Sequence, residues 1–585
     1  MKKLFIIFSI VLVAASCQKK LLDTSPYDSA SNTTMWTTDA LTDQGVSGVY
    51  QAMRLSIATG GATGNELYQF DRFAITGQGR DLDALLGGTI TSSGGIFSTN
   101  WQQLYEGVKR ANDAITNIPV KSPSDATKKA RYIAECKFMR AYFYSRLNQL
   151  FKGVPLYLTV VDASGATKAR ETEDKIWDQV ILDLTDAINE TNLPLKYGSG
   201  DGLYGHVTKG AAYALRGKAY MYKQQWANAA ADFQKVSDAG YSLFTGTYKD
   251  LFTLANERSN EMIFSIQNIN QDGYGSTTQF YCGSRSSFGS CWNNYLVSPN
   301  GVDLYENVDG TKFNWDNIIP GYNAMAPAKR EVYFFRDNLT AAEITAATAR
   351  GVDMSLYLST GNEARIKAAY TNRDPRLQAS VITPYATYLG RPINSIDQTF
   401  TNRWPSRDEN PPTNDLFTDT RNQFYYLYRK FVYEGSTQLI SRVTGPIDLP
   451  VIRYADVVLM WAEALNEQGF NATSINLVNS VRARAGIALL NSNAATTVTN
   501  QADLRERIRN ERRVEFVNEG ISFFDELRWK TWKDKVFFAG NGIRQCWGAN
   551  VSTYLWQGDY IYNWAIPASE IQMNTSLIQN TGWIN

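Results

Sequence analysis

Histidine occurs once in this chain, at position 206, and that bounds the chemistry open to it. A Ser-His-Asp arrangement could use only His206, and a metal site built from several imidazoles would need more than one. Its neighbours Tyr204, Gly205 and Val207 place it at a turn or helix start, where a structural role is expected. No Gly-rich phosphate loop, CxxC pair or EF-hand spacing occurs, so no cofactor and no metal are expected. Hydrolysis of a glycosidic bond needs neither, only two carboxylates about 5 Å apart, or farther apart for inversion. Glu463 with Glu467, or Asp81 with Asp83, are the pairs to weigh. The first pair stands four residues apart on a charged helix, where Arg453 or Arg482 is the expected partner, so ion pairing is the favoured reading. The run RERIRNERRVE from Arg505 alternates in sign and reads as a salt-bridged helix face.

Aromatic residues offer the better signal, because the C–H face of a sugar stacks on Trp or Tyr while nearby Asp, Asn and Arg satisfy its hydroxyls. Tyr274, Tyr281, Phe288, Trp292, Tyr295 and Trp315 fall in one stretch, with Asn293 and Asn294 adjacent. Farther upstream, Asp71, Arg72, Arg80 and Asp81 supply donors and acceptors. The candidate ligand contacts are therefore Asp71, Arg72, Arg80, Asp81, Tyr281, Trp292, Asn293, Tyr295 and Trp315. The competing reading is that such rings pack their loops onto a scaffold. Trp101 and Trp226, on helices, are expected to be structural.

The elements that must position these groups are helical. In DLPVIRYADVVLMWAEALNEQG, residues 448 to 469, Ile452, Ala455, Leu459, Ala462 and Leu465 recur at three- and four-residue steps and share one face. Pro450 suits the first turn and Gly469 the end. GAAYALRGKAYMYKQQWANAAADFQKV carries Ala219, Tyr220, Trp226, Ala229 and Phe233 at tetratricopeptide offsets, where small residues let two helices approach and rings fill the gap. Ala141-Tyr142 and Ala462-Glu463-Ala464 look like further repeat members, at intervals that imply insertions. Helical periodicity breaks over roughly 58 to 98, 268 to 325 and 380 to 447, which are rich in Gly, Ser, Thr, Asn and aromatics. Alternation at Met262–Ile266 and Phe424–Tyr428 predicts a few strands. The fold expected is mainly α: a tetratricopeptide-like helical-repeat scaffold with long loop insertions and a few short strands.

Its 585 residues, 44% apolar, suffice for a large folded body, and 58 basic against 57 acidic residues leave no bulk field for nucleic acid. At the N-terminus, Lys2 and Lys3 precede an apolar run from Leu4 to Ala15, too short to span a bilayer core of roughly 30 Å, and then Ser16. This is a signal peptide over residues 1–16, and Ala14-Ala15-Ser16-Cys17 is a lipobox that predicts lipidation of Cys17, the chain's only attachment to a membrane. In an exported chain, Cys282 and Cys291, close together in a Gly/Ser-rich loop, form a candidate disulfide. Cys136 and Cys546 are expected to be buried packing residues.

Several segments in order carry a resemblance. CQKKLLDTSP begins with the lipobox Cys, and NWQQLYEGVKRANDAITNIP starts at Asn100. YIAECKFMRAYFYSRLNQLFKGVPLYL from Tyr132 contains Arg140, Ala141, Tyr142 and a Gly-Val-Pro turn. NRDPRL from Asn372, SVRARAG from Ser480, RNERRVEFVNEGISFFDELRW from Arg509 and the closing AIPASEIQMNTSLIQNTGW follow. The ordered set resembles the SusD/RagB family of surface lipoproteins, which capture nutrients for TonB-dependent outer-membrane transporters. The resemblance covers the chain after its signal peptide and implies one SusD/RagB-like domain over 17–585, with an N-terminal part to about 240 and a C-terminal part from about 241. It implies a non-enzymatic receptor anchored on the outer membrane and facing the cell exterior, which binds an oligosaccharide through its loops and docks on a SusC-type transporter. The RagB branch implies a peptide ligand instead, and an interaction scaffold with no small ligand is the third alternative.

Overall fold

The computed structural model describes residues 34–55, 66–162, 164–392, 396–420, 422–435 and 439–584. The expected signal peptide and Cys17 lie outside the described residues. Helices dominate. α1 (Asp39–Gln51), α2 (Gly95–Lys121), α3 (Ala126–Phe151), α4 (Glu173–Asn189), α5 (Lys209–Tyr222) and α6 (Trp226–Asp238) follow one another, and from α2 onward each packs on the next. Four begin at side-chain caps: Thr38, Asp125, Thr172 and Thr208 each accept a first-turn N–H, worth about 1 kcal/mol apiece. The second half of α3 is buried on all sides because α2 and α4 flank it. The α5–α6 pair is the expected tetratricopeptide unit. A Cβ on Gly217 would lie 2.5 Å from the Phe233 ring, so only glycine admits that ring between the helices. Gly107 in α2 receives Phe143 of α3 in the same way, at 2.6 Å. The array resumes late in the chain: α7 (Tyr454–Gln468) packs on α6, and α8 (Ala472–Ala485) and α9 (Gln501–Glu515) pack on α7.

Pro450 does not open a helix. Residues Leu449–Arg453 are a strand antiparallel to Met262–Ile266, and α7 starts at Tyr454. Ala455, Leu459, Ala462 and Leu465 lie on α7 as expected, whereas Ile452 belongs to the strand. The ladder's register shifts on either side of Phe264, close to where Pro450 faces Ser265, which accommodates a residue that has no N–H to give. Arg453 pins the junction, its guanidinium held by Glu261 (2.8 Å), Glu515 (2.6 Å) and Glu519 (2.8 Å).

Arg453 belongs to a buried ionic core. Arg376 binds Asp374, Glu511 and Glu515, and Arg482 and Arg484 add pairs to Glu511 and Glu261. Burial raises the Glu515 carboxyl, but Arg484, Arg453 and Arg376 outweigh that and hold it well below the ordinary carboxylate range. The charge run of α9 is thus ion-paired as expected, but half of it faces the interior. Glu463 and Glu467 are ion-paired too, with Arg528 and Arg505, both at 2.6 Å, and not with Arg453 or Arg482. Cys136 and Cys546 are buried, as their apolar settings imply.

Among the described residues there are five two-stranded ladders, one of which joins two of the irregular regions. β1 (Gly77–Gly79) pairs antiparallel with β2 (Tyr295–Val297), Val297 bridges to Tyr426, and Ser276 bridges to Gly445. Segments from all three aperiodic stretches therefore meet.

Candidate functional site

Of fourteen tryptophans only Trp292, at 38%, is exposed; the others are buried or half-buried. Its backbone explains why. After the short helix Thr278–Cys282 the chain doubles back through Gly289, Ser290 and Asn293, all at positive φ (76°, 58° and 39°). Trp292 N–H then donates to Phe280 O (2.9 Å) and Asn293 N–H to Gly283 O (2.8 Å). With the main chain fixed against the helix, the indole stands outward on the Phe280 ring, 4.5 Å below it.

Three guanidiniums from separate regions surround this turn. Arg80 follows β1, and the β1–β2 ladder brings its N–H to Asn294 O at 2.7 Å. Its Nη1 donates to Trp292 O at 2.9 Å, and it pairs with Asp81 (3.0 Å) and Asp419. Arg285 Nε donates to the other Asp419 oxygen at 2.8 Å. Arg442 Nη1 donates to Ser290 O at 2.9 Å and Gly289 O at 3.3 Å, with its guanidinium 4.6 Å from the Phe280 ring and 5.6 Å from Trp292. Asp419 is itself set by its N–H, which donates to Asn293 Oδ1 at 2.7 Å. The result is a flat apolar ring framed by fixed donors and acceptors, which is suited to stacking a sugar face and hydrogen-bonding its substituents.

The structure brings Arg80, Asp81, Trp292 and Asn293 together and buries Asp71, Arg72, Tyr281 and Trp315, with Tyr295 half-buried. Asp71 is 0% exposed; burial pushes its carboxyl up to about 7, against the lowering pull of the Gly520 amide and Lys430. Arg72 is buried, paired with Asp83 at 3.3 Å and lying over the Phe73 and Tyr295 rings. The rings of buried Tyr281 and half-buried Tyr295 are 5.8 Å apart, and the Tyr295 hydroxyl donates to Gln69 at 2.8 Å. Trp315 stacks on Tyr322 at 4.6 Å, and its Nε1 donates to Asp303 at 3.2 Å, so it packs its own loop. These five take packing positions here, because the loops fold the three rings onto neighbouring rings and cover Asp71 and Arg72. Asn293 is also buried, and it acts through Asp419.

The expected Cys282–Cys291 bond is absent, since both thiols are free. The Cys282 thiol lies 3.7 Å from Asn518 Oδ1, whereas Cys291 Sγ lies 3.3 Å from Phe288 O, so each already has its own partner. Burial pushes the Cys291 thiol up to about 12 and raises Cys282 well above the ordinary value.

Reasoning from sequence missed Arg285, Asp419 and Arg442. Arg285 and Asp419 are 134 residues apart in the chain, and no spacing signal could have joined them. His206 has the structural role expected of it: its Nδ1 lies 2.9 Å from Glu135, which also accepts from Tyr50 OH. Asp81 and Asp83, weighed as an acid–base pair, are each paired with arginine. Among the described residues no group of three or more His, Cys, Asp or Glu is placed to hold a metal, and no helix is long and apolar enough to cross a membrane. A groove of ≈ 310 Å³ lies between α2 and the segments around 157 and 574; Trp101 and Tyr157 in its wall are only 4% and 9% exposed, and Tyr105 is half-buried with its hydroxyl donating to Pro155 O at 2.7 Å.

Residues 260–583 match the model of the SusD family, and residues 20–221 match a model described as starch-binding, associating with outer membrane. The chain is similar to SusD-like protein P38 of Formosa agariphila, 25% identical over 551 residues that cover 90% of each chain. In fold it is similar to a SusD-like protein from Bacteroides fragilis, with TM-score 0.73, 21% identity and coverage of 96% of this chain and 100% of the other. A SusD-like carbohydrate binding protein from the same species is similar at TM-score 0.73 and 21% identity, covering 93% and 100%.

Proposed function

This chain belongs to the SusD family, and from that premise we propose that it is a glycan-capturing receptor of the outer membrane that passes its ligand unchanged to a SusC-type TonB-dependent transporter. The observation that carries the reading is the exposed Trp292 platform with its frame of Arg80, Arg285, Asp419 and Arg442. That a relative in fold is named as carbohydrate binding supports it. Stacking contributes about 0.5–1.5 kcal/mol beyond burial, and the fixed polar groups select orientation. The carboxylates nearest the platform, Asp81 and Asp419, are both engaged by arginine, which suits them to holding a ligand and not to proton transfer. In this reading residues 1–16 are cleaved, acylated Cys17 anchors the domain 17–585 facing the exterior, and the helical array carries loops that grip the sugar.

Titration calorimetry of the soluble form beginning after Cys17, against a panel of oligosaccharides and peptides, tests this. Binding of at least one glycan with no product by chromatography is the expected result. Hydrolysis would overturn the non-enzymatic assignment, and binding of peptides alone would overturn the glycan assignment. For the anchor, Cys17→Ala is expected to move the protein from the outer-membrane fraction to the soluble fraction; retention in the membrane would refute lipidation at that residue.

A further inference from the structure

The frame around Trp292 carries more positive charge than a neutral sugar needs. Arg80, Arg285 and Arg442 arrive from three separate segments, and all three point donors at the main-chain carbonyls of one turn: Arg442 at Gly289 and Ser290, Arg285 at Ser290 (3.5 Å), and Arg80 at Trp292. Carbonyl acceptors fix a guanidinium in place without cancelling its charge. Two carboxylates, Asp81 and Asp419, accompany the three cations, and both are spent on Arg80 and Arg285. Arg442 makes no ion pair among the described residues, although it is half-buried against the Phe280 and Trp292 rings. A cation held against apolar rings is partly stripped of water, and a neutral hydroxyl restores little of that loss. A carboxylate or sulfate oxygen restores more, through charge-assisted and often bidentate hydrogen bonds. A pyranose lying on the indole brings its ring substituents beside Arg442.

On the glycan reading above, we propose that the ligand is an acidic oligosaccharide, bearing uronate carboxylates or sulfate esters, whose sugar face stacks on Trp292 while its anionic group pairs with Arg442. Arg80 and Arg285, already shared with Asp419, raise the local potential and hold the turn.

The test is calorimetry on the soluble chain with a panel of uronate-containing and sulfated oligosaccharides, each measured against its carboxyl-reduced or desulfated twin. The acidic member of at least one pair is expected to bind about tenfold or more tightly. That advantage should shrink as NaCl rises from about 20 mM to about 500 mM. Whether the uronate or the sulfate pairs show it identifies the anion. Arg442→Gln, checked for an unchanged melting curve, should collapse the ratio between twins, and Arg442→Lys should restore part of it. Trp292→Ala should weaken both members. Equal affinity for the twins, with both weakened by Trp292→Ala, overturns the acidic assignment and leaves the glycan site standing. A preference that survives Arg442→Gln overturns the role given to that residue. Binding to no glycan, or binding indifferent to Trp292→Ala, overturns the site itself.

Discussion

Trp292 and Asp71 were candidates of the same kind in the sequence, yet folding sends one to the surface and the other to the interior. Because the indole rests on Phe280 and its backbone is fixed by the helix behind it, Trp292→Ala should remove ring area without disturbing the turn. Glycan affinity is expected to drop about 10- to 100-fold by calorimetry, with little change in Tm. Asp71 predicts a pH effect. Below the ordinary value of 3.8 its carboxyl is protonated in both folded and unfolded chains; between there and about 7 only the unfolded chain gives up the proton. Its contribution to stability is therefore full at low pH and is lost as pH rises through about 7, by at most about 4 kcal/mol. Asp71→Asn removes the titration, so the variant's Tm relative to the parent should climb from about pH 4 to about pH 7.5 and then level off. A Tm difference flat across that range, measured by scanning calorimetry, would contradict a raised carboxyl.

At the scale of elements, helix pairing was the most legible feature, because it depends on neighbours close in sequence. The pattern of Ala219, Tyr220, Trp226, Ala229 and Phe233 announced the pairing of two consecutive helices, and the structure adds that Phe233 packs over Gly217, 16 positions before it. Gly217→Val should force the Phe233 ring aside and cost about 1–3 kcal/mol, read as a lower urea midpoint. Gly198→Ala, which meets nothing within 4 Å, is the control and should leave the midpoint nearly unchanged. The error at Pro450 has the opposite origin. Local periodicity continued the helix backward through Ile452, but a partner strand almost two hundred residues away, together with the carboxylates gathered on Arg453, drew 449–453 into extended backbone.

Across the whole molecule, the buried ionic core joins segments from Glu261 to Glu519, and its guanidiniums cannot be removed one at a time without cost. Arg453→Met would leave three carboxylates without that partner and should destabilise the fold by about 3–5 kcal/mol in chemical denaturation. Adding Glu519→Gln, which restores the charge balance, should recover part of that loss; no recovery would mean that packing, not unpaired charge, sets the cost. The same long-range assembly decides the site. From its sequence alone the chain declared a mainly helical repeat scaffold, its family, three irregular insertions and a cluster of rings in one of them, because each of these is written in local spacing or in ordered motifs. Only tertiary structure decided that Trp292 and Tyr274 are the exposed rings of that cluster and which charges meet Trp292. β1 pairs with β2, Val297 with Tyr426 and Asp419 with Arg80 and Arg285, and in that assembly Asp71 and Tyr281 are buried and Tyr295 half-buried, while Trp292 stays outside. Burial of a loop side chain is set by what arrives over it from elsewhere in the chain, and residue type and spacing within the loop carry no record of that arrival.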